Sequence, residues 1–540
     1  SSRNNCPAAY QDIEAHGLTS SKFPRSVVAY TASPFPAVPE QAAMFATGPL
    51  HLLATPSRIQ QHSPQSVMLE WRLFSSQGND GKFMTLRETA TKLSPEQYEK
   101  NFAEISPRMT PLQAAVEAAR CLFCFDAPCT IACPTHIDVP SFIKKITTDN
   151  LRGSARVILE ANILGHSCGR VCPTEVLCEG ACVMHEKEEK PIEIGRLQRY
   201  AVDHVLDRNI QLFHAGAPNG KRIALIGSGP ASVACAAELA KLGYRTTIFD
   251  RNELPGGLDT YGIAAYKLRA KDTLREVELV RSIGVEFRQN TSVGTDVTFA
   301  QLEKDFDAIF IGVGLGETGN LGVPGEDLQG VVGAMEFIEP TKIHPFAQLT
   351  IGRRIACIGA GNTAIDVVTA AKRLGAEIVH LIYRRGEQDM PAFRYEYDLA
   401  KRDGVSFHWH AQPVRILEDA TGRVAAIECI RTRAESGSVP SKKRNQISVI
   451  PGSEFQLEVD MVVRAIGQEP VTTFARAVQG ITVRENGTIA VSERFQTGNA
   501  KYFAAGDCVN GGKEVVDAVA EGMAAARGID AWLESPRGKN

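Results

Sequence analysis

Two segments of this chain repeat each other without a gap. Residues 222–250 read RIALIGSGPASVACAAELAKLGYRTTIFD, and residues 354–384 read RIACIGAGNTAIDVVTAAKRLGAEIVHLIYR. They stay in register from Arg222 and Arg354 through Gly243 and Gly375, at a constant offset of 132. Each runs from an apolar stretch into a glycine turn, an alanine-rich stretch stopped by glycine, and a second apolar stretch. The pattern predicts strand, turn, helix and strand, which is the βαβ setting that a glycine fingerprint requires. There the glycines let the backbone turn tightly and approach a pyrophosphate lying on the helix N-terminus. The third fingerprint position is Ser232 in one copy and Ala364 in the other, both small enough to keep helix and strand close.

The second strands end differently. The first ends at Asp250, whose carboxylate suits the hydroxyls of an unphosphorylated ribose such as that of FAD. The second ends Tyr383-Arg384-Arg385, and arginines there suit a 2′-phosphate, as in NADPH. Pro255-Gly256-Gly257-Leu258 follows the Asp250 strand, and IFIGVGLG (309–316), VVRAIG (462–467) and YFAAGD (502–507) are further strands running into turns. A helix is expected from about Val515 to Ala526. This order is expected when an FAD domain is interrupted by an NAD(P)H domain and completed by the C-terminal segment.

Eight of the thirteen cysteines fall between Cys121 and Cys182. One group is Cys121-x2-Cys124-x4-Cys129-x3-Cys133-Pro; the other is Cys168-x3-Cys172-Pro-x4-Cys178-x3-Cys182. Close thiolates followed by Cys-Pro point to iron–sulfur clusters, whereas structural zinc prefers separated two-residue knuckles. In two-cluster proteins the fourth cysteine of a run serves the other cluster, so the two runs are open to sharing ligands. Thr110 is a good N-cap and Pro111 a good first helical residue, so this region reads as helical. Cys235, Cys357 and Cys429 sit in apolar stretches and read as small buried hydrophobes.

With 540 residues the chain has room for three or four domains at ~150 residues each. The net charge of −3 gives no reason to expect nucleic acid or an anionic membrane, and Lys442-Lys443-Arg444 reads as a solvated loop. No apolar run long enough to span a membrane is present, and a cytoplasmic location is expected. Residues 1–83 read as an extension expected to be disordered, with Met84 resembling a natural start. The expected divisions are a helical iron–sulfur domain at 84–215, an FAD domain at 216–345 and 466–540, and an NAD(P)H domain at 346–465. The fold class is α/β.

These residues resemble the pyridine-nucleotide-disulfide-reductase type of flavoprotein. More narrowly, residues 110–535 resemble the electron-input half of dihydropyrimidine dehydrogenase, whose bacterial form is a separate subunit and whose sister is the small subunit of glutamate synthase. The most specific stretches are DAPCTIACPT (126–135), CGRVCPTEVLCEGAC (168–182), PIEIGRLQRY (191–200), PGGLDTYGIAAYKL (255–268) and YRRGEQDMPA (383–392). The resemblance implies two [4Fe–4S] clusters, one held by Cys121, Cys124, Cys129 and Cys182 and the other by Cys133, Cys172, Cys178 and Gln198, with Cys168 outside both sets. Gln198 is the discriminating position, because the glutamate synthase subunit typically has Glu there. The resemblance further implies FAD contacts at Gly227, Ser228, Gly229, Pro230, Ala231, Asp250, Gly256, Gly257, Leu258, Lys267, Val293, Gly506, Asp507 and Val515. Nicotinamide-nucleotide contacts fall at Ala360, Gly361, Asn362, Thr363, Arg384, Arg385, Ala465, Ile466 and Gly467. Cys508 lies beside the flavin in sequence but lacks a CxxC partner, which argues against a disulfide-reductase mechanism.

The expected activity is transfer of hydride from NADH or NADPH to FAD, then of single electrons through the clusters. No protein acid or base is expected in the hydride step itself. These residues contain no run of βα units able to form an FMN barrel. An FMN-containing partner reducing uracil or thymine is therefore expected, in a hetero-oligomer. The alternatives are a glutamate synthase small subunit, a stand-alone NAD(P)H:ferredoxin-type reductase and a non-catalytic docking subunit.

Overall fold

The computed structural model describes residues 89–434 and 447–535. The extension 1–83, Met84 and the basic run 442–444 lie outside the described residues.

The cysteine region is helical because its helix starts are capped in sequence. Thr110 and Gln113 form a reciprocal capping box ahead of helix Pro111–Ala119, with bonds of 3.2 and 2.9 Å. Asp138 and Asn150 cap Val139–Thr147 and Leu151–Ala161 through the backbone N–H groups of Ser141 and Gly153. Phe142, Ile143 and Ile146 of one helix, and Leu197, Ala201 and Val202 of helix Ile194–Leu206, are buried at helical spacing. These side chains join a single apolar core with Ile223, Leu225, Ala234 and Phe310 of the first nucleotide unit.

Both repeats fold as expected. The first unit is a five-stranded parallel sheet in the order Tyr502–Ala504, Ala308–Ile311, Arg222–Ile226, Arg245–Phe249, Glu286–Arg288. The second has the same layout: Val331–Gly333, Met461–Arg464, Arg354–Ile358, Ile378–Tyr383, Ser406–Trp409, again all parallel. The C-terminal helix is longer than expected, Val515–Glu534, and packs on the first unit's helix Pro230–Lys241. A four-stranded antiparallel sheet built from Ala411–Glu418, Val424–Ala434, Ile447–Val449 and Phe455–Glu458 sits against the second unit.

Two expected boundaries shift. Strand Val331–Gly333 pairs with Val462–Arg464, and helix Ala334–Ile343 packs with helix Asn362–Leu374, so the second unit begins near residue 331 rather than 346. The reason is the missing fifth strand of that sheet, which the chain supplies before the glycine turn rather than after it. At the other end, residues 89–102 leave the helical domain. Thr89 bridges Gly352, and Ala90, Tyr98 and Phe102 are buried in the second unit's core, with Phe102 stacked on Phe346 at 4.0 Å.

A buried polar junction ties the helical domain to the first unit. Glu276, from helix Ala270–Ser282, accepts the backbone N–H groups of His166 (2.6 Å) and Ser167 (3.1 Å) at the start of helix Gly165–Val171. Arg170, 2% exposed, lies 3.5 Å from Asp203 and 3.7 Å from Asp272. His166 Nε2 is 2.7 Å from Asp203 Oδ1. Burial alone would raise the Asp203 carboxyl, but the His166 hydrogen bond and the charges of Arg170 and Arg108 hold it down to about 2.

Candidate redox site

The two cysteine groups do not stay apart. Cys121, Cys124, Cys129 and Cys182 line one cleft of about 360 Å³ counting its open mouth. Cys133, Cys172, Cys178 and Gln198 line a second, of about 330 Å³, between the helical domain and Val516. Cys182 thus crosses to the first group and Cys133 to the second. Gln198 is 7% exposed, and its Nε2 donates to Gly165 O at 2.7 Å. The second cleft also contains Cys168, whose Sγ accepts a hydrogen bond from Asn162 Nδ2 at 3.2 Å.

The donor set fits iron–sulfur clusters. Zinc would draw four thiolates to one point at Zn–S distances near ~2.3 Å. Among the described residues no three Cys, His, Asp or Glu side chains converge closely enough to hold one ion. Thiols ringing a cleft instead match ligands bonded to different irons of one cluster. Burial pushes the Cys129 thiol up to about 12, so cluster assembly there displaces protons.

The first glycine turn is a close-fitted cradle. Gly227 has φ +89°, and a Cβ there would lie 2.5 Å from Gly312 O. Gly257 (φ +55°) brings the PGGL segment so close that a Cβ would meet Gly229 Cα at 2.7 Å. Pro230 and Ala231 open helix Pro230–Lys241, whose N-terminus faces the turn. Asp250 directly follows its strand and accepts from Ser228 N and Oγ (2.7 and 2.6 Å) and from Asn252 N (2.8 Å). It therefore braces the turn as well as lying where a ribose is expected. Val293 packs against the apolar cluster that contains Phe249. Gly506 (φ +76°) and Asp507 start a short helix; Asp507 Oδ1 accepts Lys513 N, and burial raises its carboxyl. Val515 begins the C-terminal helix.

The second turn is confined at Gly359 and open at Gly361. Gly361, ahead of Asn362 and Thr363, has no atom within 4 Å of an added Cβ, and neither has Gly467. Ala360 and Ala465 are buried beneath the turn, while Ile466 is exposed. Gly359, which sequence reasoning passed over, carries the strain: at φ +133° its Cβ would meet Ala465 O at 2.1 Å. Its GAGN spacing was the available signal. Arg384 is exposed past the second strand. Arg385 keeps a buried Nε without a hydrogen-bond partner, as a guanidinium awaiting an anion would.

Lys267 stands apart from the other expected flavin contacts. It is buried and joins the two units: its Nζ lies 2.7 Å from Asp366 and 2.5 Å from Glu396, both in the second unit. No local sequence pattern pairs residues this far apart. Cys508 is buried and free, its thiol donating to Ala505 O (3.3 Å) and Ile311 O (3.6 Å).

This pairing of two glycine cradles with two thiol clefts has counterparts among known proteins. The model of the pyridine nucleotide-disulphide oxidoreductase family matches residues 221–522, more than half of the chain. The chain belongs to that family. Residues 98–210 match the dihydropyrimidine dehydrogenase domain II, 4Fe-4S cluster model. Among relatives, the glutamate synthase [NADPH] small chain of Escherichia coli is 35% identical over 84% of this chain and 98% of its own. The NAD-dependent dihydropyrimidine dehydrogenase subunit PreT of Salmonella typhimurium is 33% identical over 80% of this chain and 97% of its own. The solved structure of Mycobacterium tuberculosis FprA in complex with NADPH shares the fold at a TM-score of 0.50 and 19% identity, over 58% of this chain and 84% of that one. This member of the family is an NAD(P)H-dependent oxidoreductase that uses FAD and [4Fe–4S] chemistry. No helix among the described residues is long and apolar enough to cross a membrane.

Proposed function

We propose that the chain is the electron-input subunit of a hetero-oligomer. It takes hydride from NAD(P)H and feeds single electrons to an FMN-containing partner that reduces uracil or thymine to the 5,6-dihydropyrimidine, in the cytoplasm. FAD, when bound, accepts the electron pair and releases it one electron at a time. The residues of this chain supply position. The first cradle encloses the flavin's pyrophosphate, the second turn, open at Gly361, admits the coenzyme, and Arg384 and Arg385 face its adenosine end. One cluster rests on Cys121, Cys124, Cys129 and Cys182, and the other on Cys133, Cys172, Cys178 and Gln198.

The observation that carries the pyrimidine reading is Gln198, which lines the second cleft beside Cys133, Cys172 and Cys178. The end-to-end match to the glutamate synthase small chain favours a second reading, in which the partner is a large amidotransferase. Reconstitution separates them. The purified chain should reduce ferricyanide with NAD(P)H and leave uracil untouched. Adding the FMN subunit should produce dihydrouracil. Glutamate formation with an amidotransferase subunit, and none of dihydrouracil, would transfer the assignment to the second reading.

A further inference from the structure

A hydride arrives as two electrons and one proton, but the clusters take electrons only. One proton is therefore left in a buried site for every turnover, and it needs an acceptor. The described residues gather one where the two nucleotide units meet. Lys267 comes from the first unit, Asp366 from the helix behind the second glycine turn, and Glu396 from helix Arg394–Arg402. Tyr266 donates to Asp366 Oδ1 at 2.7 Å, and Tyr395 donates to Glu396 Oε1 at 2.9 Å. Glu396 Oε2 is buried and has no hydrogen-bond partner. Glu514, directly before Val515, lies near enough to feel the charges of Glu396, Asp517, Lys267 and Asp507, and Glu175 in the helical domain feels that of Lys267. Lys267 thus ion-pairs with both Asp366 and Glu396, and the charge of the buried Lys342 also acts on Asp366.

We infer that Glu396 and Glu514, near Lys267, receive the proton left when the hydride's two electrons depart for the clusters. The balance is closed. The bond from the flavin to the delivered hydrogen breaks as the second electron leaves, and each electron reduces a cluster. The hydrogen passes as a proton to a Glu396 oxygen, then by way of Glu514 toward solvent. Burial holds Glu396 above the usual carboxylate range despite Lys267, and burial together with the Glu396 and Asp517 charges pushes Glu514 up to about 7. Glu514 accepts a proton above that value and is already protonated below it. The inference rests on the reading that Lys267 and Val515 face the flavin.

The test uses the whole chain loaded with FAD and clusters, in stopped flow. Bleaching of flavin absorbance by NAD(P)H reports on the cofactor sites alone. Mixing the pre-reduced protein with ferricyanide then reports the release of electrons and proton. In the parent protein this second phase should slow in deuterium oxide and fall as pH drops through about 7. Glu396→Gln and Glu514→Gln should each slow it by roughly tenfold or more and abolish the pH break, with the slowing concentrated in that phase. Unaltered rate, isotope effect and pH break in both variants would overturn the proposal, even if their melting temperatures drop, since that pattern belongs to a structural clasp. Failure to bleach in the parent would instead strike the cofactor reading.

Discussion

The two nucleotide units share a strand order and a turn chemistry, yet the rest of the chain treats them differently. Around the first turn, Gly312, the PGGL segment and the C-terminal helix close in until a single added Cβ would collide with backbone. Around the second, Gly359, the counterpart of Gly227, is confined just as tightly against Ala465 O, while Gly361 and Gly467 face open space and no segment like PGGL presses on the helix start. The same βαβ motif therefore builds a cradle for a resident group in one place and an open seat for a group that comes and goes in the other. What distinguishes them is the later chain packed over each turn.

Glycine substitution is the strongest way to break this contrast. Gly227→Ala places a side chain at φ +89° against Gly312 O, so flavin content should fall by roughly tenfold or more and folding should suffer. Gly361 has φ −82° and free space, so Gly361→Ala should keep its flavin and melting temperature while raising KM for the coenzyme. Equal flavin loss in both would erase the distinction. The thiol clefts sharpen it from the other side. Cys129→Ser should lower iron from about eight to about four atoms per chain, with acid-labile sulfide following. Coenzyme titration should be unmoved, because that cleft shares its core with the first unit only. Iron at the parent level would dismiss Cys129 as a ligand.

A smaller effect concerns the junction that anchors the first unit. Asp203 is held at about 2 in the folded protein against an ordinary value of 3.8. A lowered carboxylate contributes stability that is full above its unfolded value and lost as pH falls through about 4 toward 2. Asp203→Asn should therefore cost on the order of 2 kcal/mol at neutral pH and flatten the acid limb of the melting curve. An acid limb identical to the parent's would assign that stability to other groups. The smallest effect belongs to the second unit. Arg384→Ala with Arg385→Ala should reduce kcat/KM for NADPH roughly tenfold, with NADH little changed. Equal losses for both coenzymes would place the pair on the shared adenosine half.

Local chemistry explains which parts were legible in advance. The βαβ units announce themselves by apolar periodicity and glycine, and the helix at Pro111 by its N-cap threonine and first-turn proline, since these signals lie within a few residues of what they specify. The crossing of Cys182 and Cys133 between clefts came from family resemblance; spacing alone left shared ligands open. The strand at Val331 was missed because three residues give too short a pattern, and its partner at Val462 lies far along the chain. Arg170 among Asp203 and Asp272, and Lys267 between Asp366 and Glu396, were illegible for the same reason. Buried charge pairs are chosen by the tertiary fold, and nothing near Lys267 in sequence marks it as bridging two units.

The strand Tyr502–Ala504, paired with Ala308–Ile311 at the edge of the first sheet, has a consequence for how the protein is made. The second unit closes its sheet once residue 464 has left the ribosome, while the first must wait for the strand at 502 and the helix that ends at 534. Until then its central strands carry an unsealed edge, and the pairing it awaits spans nearly two hundred residues. Long-range parallel pairing is slow and exposes sticky intermediates. Synthesis should thus yield a finished coenzyme domain inserted in an unfinished flavin domain, and the nascent chain should depend on chaperones, or on early capture of FAD, during that interval.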